Sequence, residues 1–290
     1  MKKFTQISLK KMKRSLFFIL LTHIIFTCCT NKSNNASNSV GKKSSDSTEL
    51  SSIHRISKEI AVLDSFFQIT NLSSACIDYR QGPFSIIAEG DSSTLSHITP
   101  EFDGGILTLR TPMDSNGNFQ SYSYESDAVI HVSCPILKAV ALCSGGGFRS
   151  EGLIRSDDFQ LGGLVGGSIS IDSLDCNKFR YESSGSTTLD IRNLECDESI
   201  VISTGTGVLS MNVKARSSAY FDIKGSSSIS SEIYSPKVDN FIETDGTVSY
   251  TLDTDYFEMF AQMGTVNLRG HATQQKIDKS AQVVLNNDLH

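Results

Sequence analysis

The chain has 290 residues, of which 39% are hydrophobic, 21 are glycine and none is tryptophan, and its formal net charge is −6. This length allows one large domain or two ordinary ones. The acidic balance argues against a protein that binds nucleic acid, because such proteins need an excess of lysine and arginine to meet the phosphate charge.

Residues 1–27 have the composition of a signal peptide. Six lysines and arginines precede an apolar run that extends from Leu16 to Phe26 and is interrupted by Thr22 and His23. This run is shorter than the roughly 20 residues that span a bilayer. Removing the segment leaves 26 − 6 = 20 basic residues against 32 acidic ones, a net charge of −12. The exported chain is therefore predicted to be strongly acidic.

Two cysteines, Cys28 and Cys29, follow the apolar run. A cysteine in this position resembles the lipidation site of bacterial lipoproteins. We expect a lipid on one of the two, which would anchor the protein in the cell envelope at the outer membrane, facing either side. Two or more acyl chains give a stable anchor. The alternative is an ordinary signal peptide followed by incidental cysteines.

Residues 28–59 are rich in serine, asparagine and lysine and lack an apolar period. Such a segment cannot bury enough surface to fold, so it is predicted to be a flexible tether. From residue 60 the pattern changes to short apolar runs bounded by Gly, Pro, Asp or Ser, which is typical of strands.

A repeat of about 20 residues dominates the chain from residue 161 to residue 270. Its copies centre on five glycines, Gly185, Gly205, Gly225, Gly246 and Gly264, and apolar residues stand four before, four after and six after most of them. A period-2 strand on each side of a glycine turn, repeated at a constant stride, predicts a coil of a parallel β-solenoid. Glycine at the pivot permits a positive φ in a tight bend.

We therefore predict an all-β fold in which residues 60–273 form a single-domain parallel β-helix, followed by a cap or tail over residues 274–290. Five cysteines remain after residue 29, an odd number that argues against a full disulfide framework. Cys176 and Cys196 stand nine before successive pivots and should stack about 4.8 Å apart, either as free thiols or as a disulfide.

Three segments resemble the autotransporter adhesin head domain, the GIN domain family, which is common in lipoproteins of the Bacteroidetes. They are FFQITNLSSACIDYRQGPFSIIAEG, GGILTLRT and AVIHVSCPILKAVALCSGG, and they precede the glycine-pivoted coils. The resemblance covers residues 60 to 273 and implies a parallel β-helix, taken as right-handed, with an adhesive role. It brings no catalytic motif and no cofactor.

The outward positions offer little for catalysis. The only acidic pair expected on neighbouring coils is Glu232 with Asp253, which fits a solvated face better than a catalytic dyad. His131 and Cys134 are three apart on a strand and should lie on opposite faces. No spacing typical of a metal site occurs. We predict a protein that is not an enzyme; the alternatives are a glycan-active β-helix enzyme and a self-associating structural protein of the envelope.

One outward column has an unusual composition. The positions five before the pivots carry four successive apolar residues, Ile200, Tyr220, Phe241 and Met259. A contiguous apolar stripe needs an explanation that single exposed residues do not. Either the chain covers the stripe itself, or the stripe binds a protein, a glycan or a second copy of the chain, with Tyr220 and Phe241 as anchors.

Overall fold

The computed structural model describes residues 55–111 and 128–290. Fifteen strands and one short helix account for most of these residues. The elements are β1 (Arg55–Glu59), β2 (Gln68–Leu72), β3 (Cys76–Gln81), β4 (Ser85–Asp91), α1 (Ser92–Ser96), β5 (Thr99–Asp103), β6 (Ile106–Arg110), β7 (Val129–Cys134), β8 (Ala139–Leu142), β9 (Gly147–Gly163), β10 (Ser168–Ser183), β11 (Thr188–Ser203), β12 (Val208–Gly225), β13 (Ser228–Tyr234), β14 (Lys237–Lys279) and β15 (Val283–Leu289).

The long strands stack in parallel and in register. Ser168 of β10 pairs with Thr188 of β11, and Leu189 of β11 pairs with Leu209 of β12, so the ladder advances by 20 residues per coil. Parallel pairing at a constant stride produces a β-solenoid, here of about eight turns. The predicted all-β parallel solenoid with coils of about 20 residues is confirmed.

Each coil has three sides separated by bends. In β10 the first side is residues 168–171, the second is 173–176 and the third is 178–183, with a register irregularity between Ile171 and Ser173. The bend between the third side and the next first side holds the glycine turn. The equivalent segments of every other coil are likewise its first, second and third sides.

The core follows the predicted columns. The apolar residues four and six after the pivots are buried, including Leu189, Leu209 and Ile229 on the first side. Four before the pivots, Tyr181, Val201 and Phe221 are also buried, each at most 1% exposed. The column fails at Phe260, which is 40% exposed although it stands four before Gly264.

The pivot glycines serve two different purposes. Gly225 and Gly264 have positive φ, 72° and 113°, which other residues adopt only with strain. Gly185, Gly205 and Gly246 do not, and there the requirement is space. A Cβ on these three would lie 2.5, 2.0 and 2.3 Å from backbone oxygens of the preceding coil. Two of the five pivots thus use the positive φ that glycine permits, and at the other three close coil stacking excludes a side chain.

The amino-terminal strands close one end of the solenoid. β2 pairs in parallel with β6 and β8 on the third side, while β3 pairs in parallel with β7 and β9 on the first. β4 then adds antiparallel to β7, and β1 antiparallel to β4. The helix α1 begins at its cap Asp91, whose carboxylate accepts a hydrogen bond from the Ser93 amide.

The parallel ladder continues to the last residues. β15 pairs with residues 264–270 of β14, and the His290 amide donates to the Gly270 carbonyl over 3.1 Å. Residues 274–290, which the sequence assigns to a cap or tail, thus carry one further rung. No helix within the described ranges is long and apolar enough to cross a bilayer.

The cysteine side chains at Cys176 and Cys196 are buried, and neither forms a disulfide. Burial raises the pKa of the Cys196 thiol to about 12, so the thiol stays protonated. The two residues act as small apolar side chains in the core. Of the two readings left open by the sequence, free thiols are confirmed.

Two neighbouring aliphatic residues test the assignment of the core. Leu209 is 1% exposed and Val208 is 57% exposed. Leu209→Asp should destabilise the domain by at least about 3 kcal/mol, because it deletes a buried side chain and puts an unpaired charge in the column. Val208→Asp should change stability by no more than about 0.5 kcal/mol. Denaturant unfolding followed by far-UV circular dichroism measures both, and equal losses would refute the inward and outward assignment.

Candidate partner-binding surface

The predicted apolar column lies on the third side of the coils. Ile200 of β11 and Tyr220 of β12 are direct neighbours in the parallel register, as the sequence predicts. Both side chains point outward between buried residues and are half-buried. This half of the column is present as expected.

The column breaks at Phe241. Tyr220 pairs with Asp239, and Phe241 pairs with Asp222, so the ladder advances here by one residue fewer than in the preceding coils. The pivots Gly225 and Gly246 of these two coils are, in contrast, 21 residues apart, whereas Gly205 and Gly225 are 20 apart. Phe241 still points outward and is half-buried. It lies two positions further along the same side than Tyr220, since residues two apart on a strand share a face.

Met259 does not belong to the surface. It is 1% exposed and packs in the core, whereas its neighbour Phe260 faces outward. The ring of Phe260 stacks on that of Phe241 with centroids 5.5 Å apart and an interplanar angle of 26°. Phe241 stands five residues before its pivot Gly246, whereas Phe260 stands four residues before its pivot Gly264. The bend before Gly264 is thus one residue shorter than the bend before Gly246. As a result, the residue four before Gly264 points outward and the residue five before it points inward.

The structure replaces the predicted straight column with a staggered group on one side of four coils. We call it the aromatic stripe, and its members are Ile200, Ile202, Tyr220, Phe241 and Phe260. Ile202 and Phe260 were missed by the column analysis. Ile202 could have been found, since it lies two residues after Ile200 and therefore shares its face. Phe260 could not, because the short bend is not marked by any residue type.

Ion-paired residues interrupt the stripe as well as border it, since Asp222 stands in register between Ile202 and Phe241. Lys224 lies 2.8 Å from Asp222, Lys237 lies 2.6 Å from Asp239, and Lys276 lies 2.6 Å from Glu258, while Arg180 contacts Glu182. The Lys224 ammonium also lies 4.9 Å from the centroid of the Phe241 ring, a cation–π contact. These carboxylates thus have cationic partners, and together the pairs contribute no net charge to the border of the stripe.

The hydroxyl of Tyr220 stays protonated across the physiological range. Burial, followed by the nearby carboxylates of Asp222 and Asp239, raises the pKa of Tyr220 to about 12. The ring therefore offers apolar area together with a neutral hydrogen-bond donor. An amphipathic ring of this kind is common at binding surfaces.

The acidic pair expected on the outer surface does not form. Glu232 is in register with Thr251, and Asp253 is in register with Tyr234, so the two carboxylates lie on different columns. The prediction that Glu232 stands beside Asp253 is wrong because the ladder here advances by one residue fewer than in the preceding coils. The reason is the register change that also displaces Phe241.

His131 and Cys134 lie on opposite faces, as expected. Cys134 is fully buried, whereas His131 is on the outer surface with Nδ1 3.2 Å from Asp78 and Nε2 3.4 Å from Glu89. Arg149 also lies 3.0 Å from Asp78. This cluster crosslinks β3, β4, β7 and β9 at the amino-terminal end.

Within residues 55–111 and 128–290, no group of three His, Cys, Asp or Glu side chains is placed to hold a metal ion. Cys28 and Cys29 lie outside the described residues.

Residues 65–230 match a family model described as "Putative auto-transporter adhesin, head GIN domain". The chain belongs to this family. The match extends from β2 into β13 and is shorter than the resemblance seen in the sequence, which covers residues 60 to 273. It ends before Phe241 and Phe260.

Solved structures share the fold of this GIN domain protein. A putative adhesin from Parabacteroides distasonis is 16% identical, with a TM-score of 0.70 over 81% of this chain and 98% of its own. A putative adhesin from Parabacteroides merdae, also 16% identical, has a TM-score of 0.66 over 81% and 95%. A third, titled as a putative lipid binding protein from P. distasonis, is 16% identical with a TM-score of 0.62 over 81% and 95%. No curated protein matches the chain significantly.

Proposed function

We propose that this GIN domain protein is a membrane-anchored, non-enzymatic lipoprotein of the cell envelope that presents the aromatic stripe to a partner. The observation that carries this proposal is the stacked pair Phe241 and Phe260, with Phe260 40% exposed on the outer surface of the solenoid. Two stacked rings on the surface lose part of the stabilisation that burial in the core would give them. The adhesin names of the relatives support a binding role.

The stripe has the anatomy of a binding surface. Its aromatic and aliphatic side chains share one side of the coils with ion pairs such as Lys237 with Asp239, and Asp239 is the neighbour of Tyr220 in the ladder. Buried aromatic anchors surrounded by a polar rim are where binding energy concentrates in protein interfaces. Because the rim carboxylates already have cationic partners, they need no further partner for charge balance.

A glycan-active enzyme is the weaker candidate. Such an enzyme needs carboxylates that converge on one substrate bond. Glu232 and Asp253 lie on different columns, and the acidic residues of the stripe's border are held in ion pairs. A self-associating structural protein uses the same stripe with a second copy as the partner, so both readings share one experiment.

Photocrosslinking from the stripe tests the proposal in intact cells. The full chain carries p-benzoylphenylalanine at Tyr220, or at Ser230, which is exposed on the first side, as the matched control. We expect a crosslinked product from position 220 and none from position 230. A discrete shifted band identifies a protein partner, a heterogeneous band a glycan, and a doubled mass a second copy.

Tyr220→Ser combined with Phe241→Ser separates binding from folding. The proposal predicts that the crosslink from a probe at Phe260 disappears in this double variant while its thermal midpoint stays within a few degrees of the wild type. Equal crosslinking from both sides of the solenoid, or none from the stripe, would contradict a dedicated surface. A large loss of stability in the double variant would instead make the stripe part of the core.

The anchor is tested by replacing Cys28 and Cys29 with serine together. We expect the variant to leave the membrane fraction and to appear in the soluble envelope fraction, because the acyl chains supply the membrane affinity. Mass spectrometry of the wild-type amino terminus should find an acylated cysteine at position 28 or 29. An unmodified amino terminus further along the chain would contradict the anchor without affecting the test of the stripe.

A further inference from the structure

A cleft of about 270 Å³ opens at the amino-terminal end of the solenoid. Its floor is formed by Ala88 of β4 and Ile130 of β7, which are 4% and 0% exposed and belong to the core. Leu95 and Ile98, within and after α1, and Phe102 of β5 form the walls. The cleft is therefore a place where the apolar core reaches solvent.

The rim of the cleft is apolar as well. Leu63 lines it and is 79% exposed, while Leu95, Ile98 and Phe102 are half-buried against the core. Several aliphatic and aromatic side chains thus surround one concave space instead of being scattered over the surface. A concave apolar site with few polar groups is the usual form of a site for a small apolar ligand.

A lysine stands on the cleft side of β1. Lys58 lines the cleft and pairs with Ala88 across the antiparallel ladder, and directly opposed residues share a face of the sheet. Its neighbour Glu59 also borders the cleft, but its side chain alternates to the other face, where its opposed residue is Ile87. Within the described ranges, no carboxylate forms an ion pair with Lys58.

The acidic residue on the opposite wall, on β5, is neutralised elsewhere. Glu101 lies between the cleft-lining residues Pro100 and Phe102 on β5, so its side chain points to the opposite face. There it forms an ion pair with Arg110 over 3.2 Å. Lys58 is therefore the charged residue that shares the face of Ala88, and it stands at the edge of an apolar space.

We propose that this cleft binds a free medium-chain fatty acid, with the alkyl chain in the cleft and the carboxylate on the Lys58 ammonium. The combination of an apolar concave site and a lysine at its edge selects an amphipathic anion over a neutral or cationic ligand. A cleft of this volume holds far more than one water molecule, so it has room for a short alkyl chain.

The test is titration calorimetry of the full chain with four saturated fatty acids, hexanoate, octanoate, decanoate and dodecanoate. Affinity should rise about tenfold for each two carbons that enter the cleft, because each buried methylene adds to the transfer free energy. Decyltrimethylammonium, which has the same chain and the opposite charge, should bind at least about tenfold more weakly than decanoate.

Lys58→Glu should reverse the order of decanoate and decyltrimethylammonium, and Lys58→Gln should leave the two within about threefold of each other. Lys178→Glu is the matched control, since Lys178 is an exposed lysine on the third side of a distant coil. It should bind decanoate like the wild type. Thermal unfolding without ligand establishes that each variant is folded before it is titrated.

The proposal would be overturned by the absence of decanoate binding by the wild type at millimolar concentration, by binding that is indifferent to Lys58→Glu, or by binding that weakens equally in Lys178→Glu. Loss of decanoate binding in the Tyr220→Ser, Phe241→Ser variant would likewise overturn it by locating the ligand at the aromatic stripe. A result against the cleft leaves the test of the stripe intact, because the two sites share no residue.

Discussion

The parallel backbone ladder between successive coils is the interaction on which the rest of this structure depends. Each coil stacks only two or three apolar side chains on a side, each worth roughly 1.5–3 kcal/mol when fully buried, against about 1–2 kcal/mol of backbone entropy for each ordered residue. A single coil is therefore unstable alone, and only the stack is stable. The close approach at Gly185 and Gly205 serves this ladder, since a side chain there would meet the backbone of the preceding coil.

The candidate binding surface results from irregularities in that ladder. Where β12 meets β14 the stride shortens by one residue, which places Phe241 beside Asp222, and the shorter bend before Gly264 turns Phe260 outward onto Phe241. A ladder that followed the glycine pivots would have aligned Phe241 with Tyr220. The regular coils supply a rigid support, and the irregular ones give the stripe its aromatic pair. The cleft likewise lies where the antiparallel strands β1, β4 and β5 depart from the parallel pattern.

The sequence predicts the fold well because the repeat is read from inward positions, most of which are apolar. Leu189, Leu209 and Ile229 are fixed relative to the glycine turns, so their burial follows directly from the spacing. Outward positions lack that constraint. A bend that is one residue shorter exchanges the faces of Met259 and Phe260, and no residue type marks such a bend. The cleft also has no local signal, because the residues that line it are spread along the chain from Lys58 to Ile130.

Deletion of one whole coil tests the dependence on stacking most directly. Removing residues 188–207 joins segments that remain in register, since Ser168, Thr188 and Val208 occupy the same position in successive coils. We expect this variant to keep the far-UV spectrum of a β-solenoid and to unfold in one cooperative transition at a lower midpoint. Removing only residues 188–197 breaks the register and should abolish cooperative unfolding. If both deletions behave alike, the coil is not the unit of stability and the account is wrong.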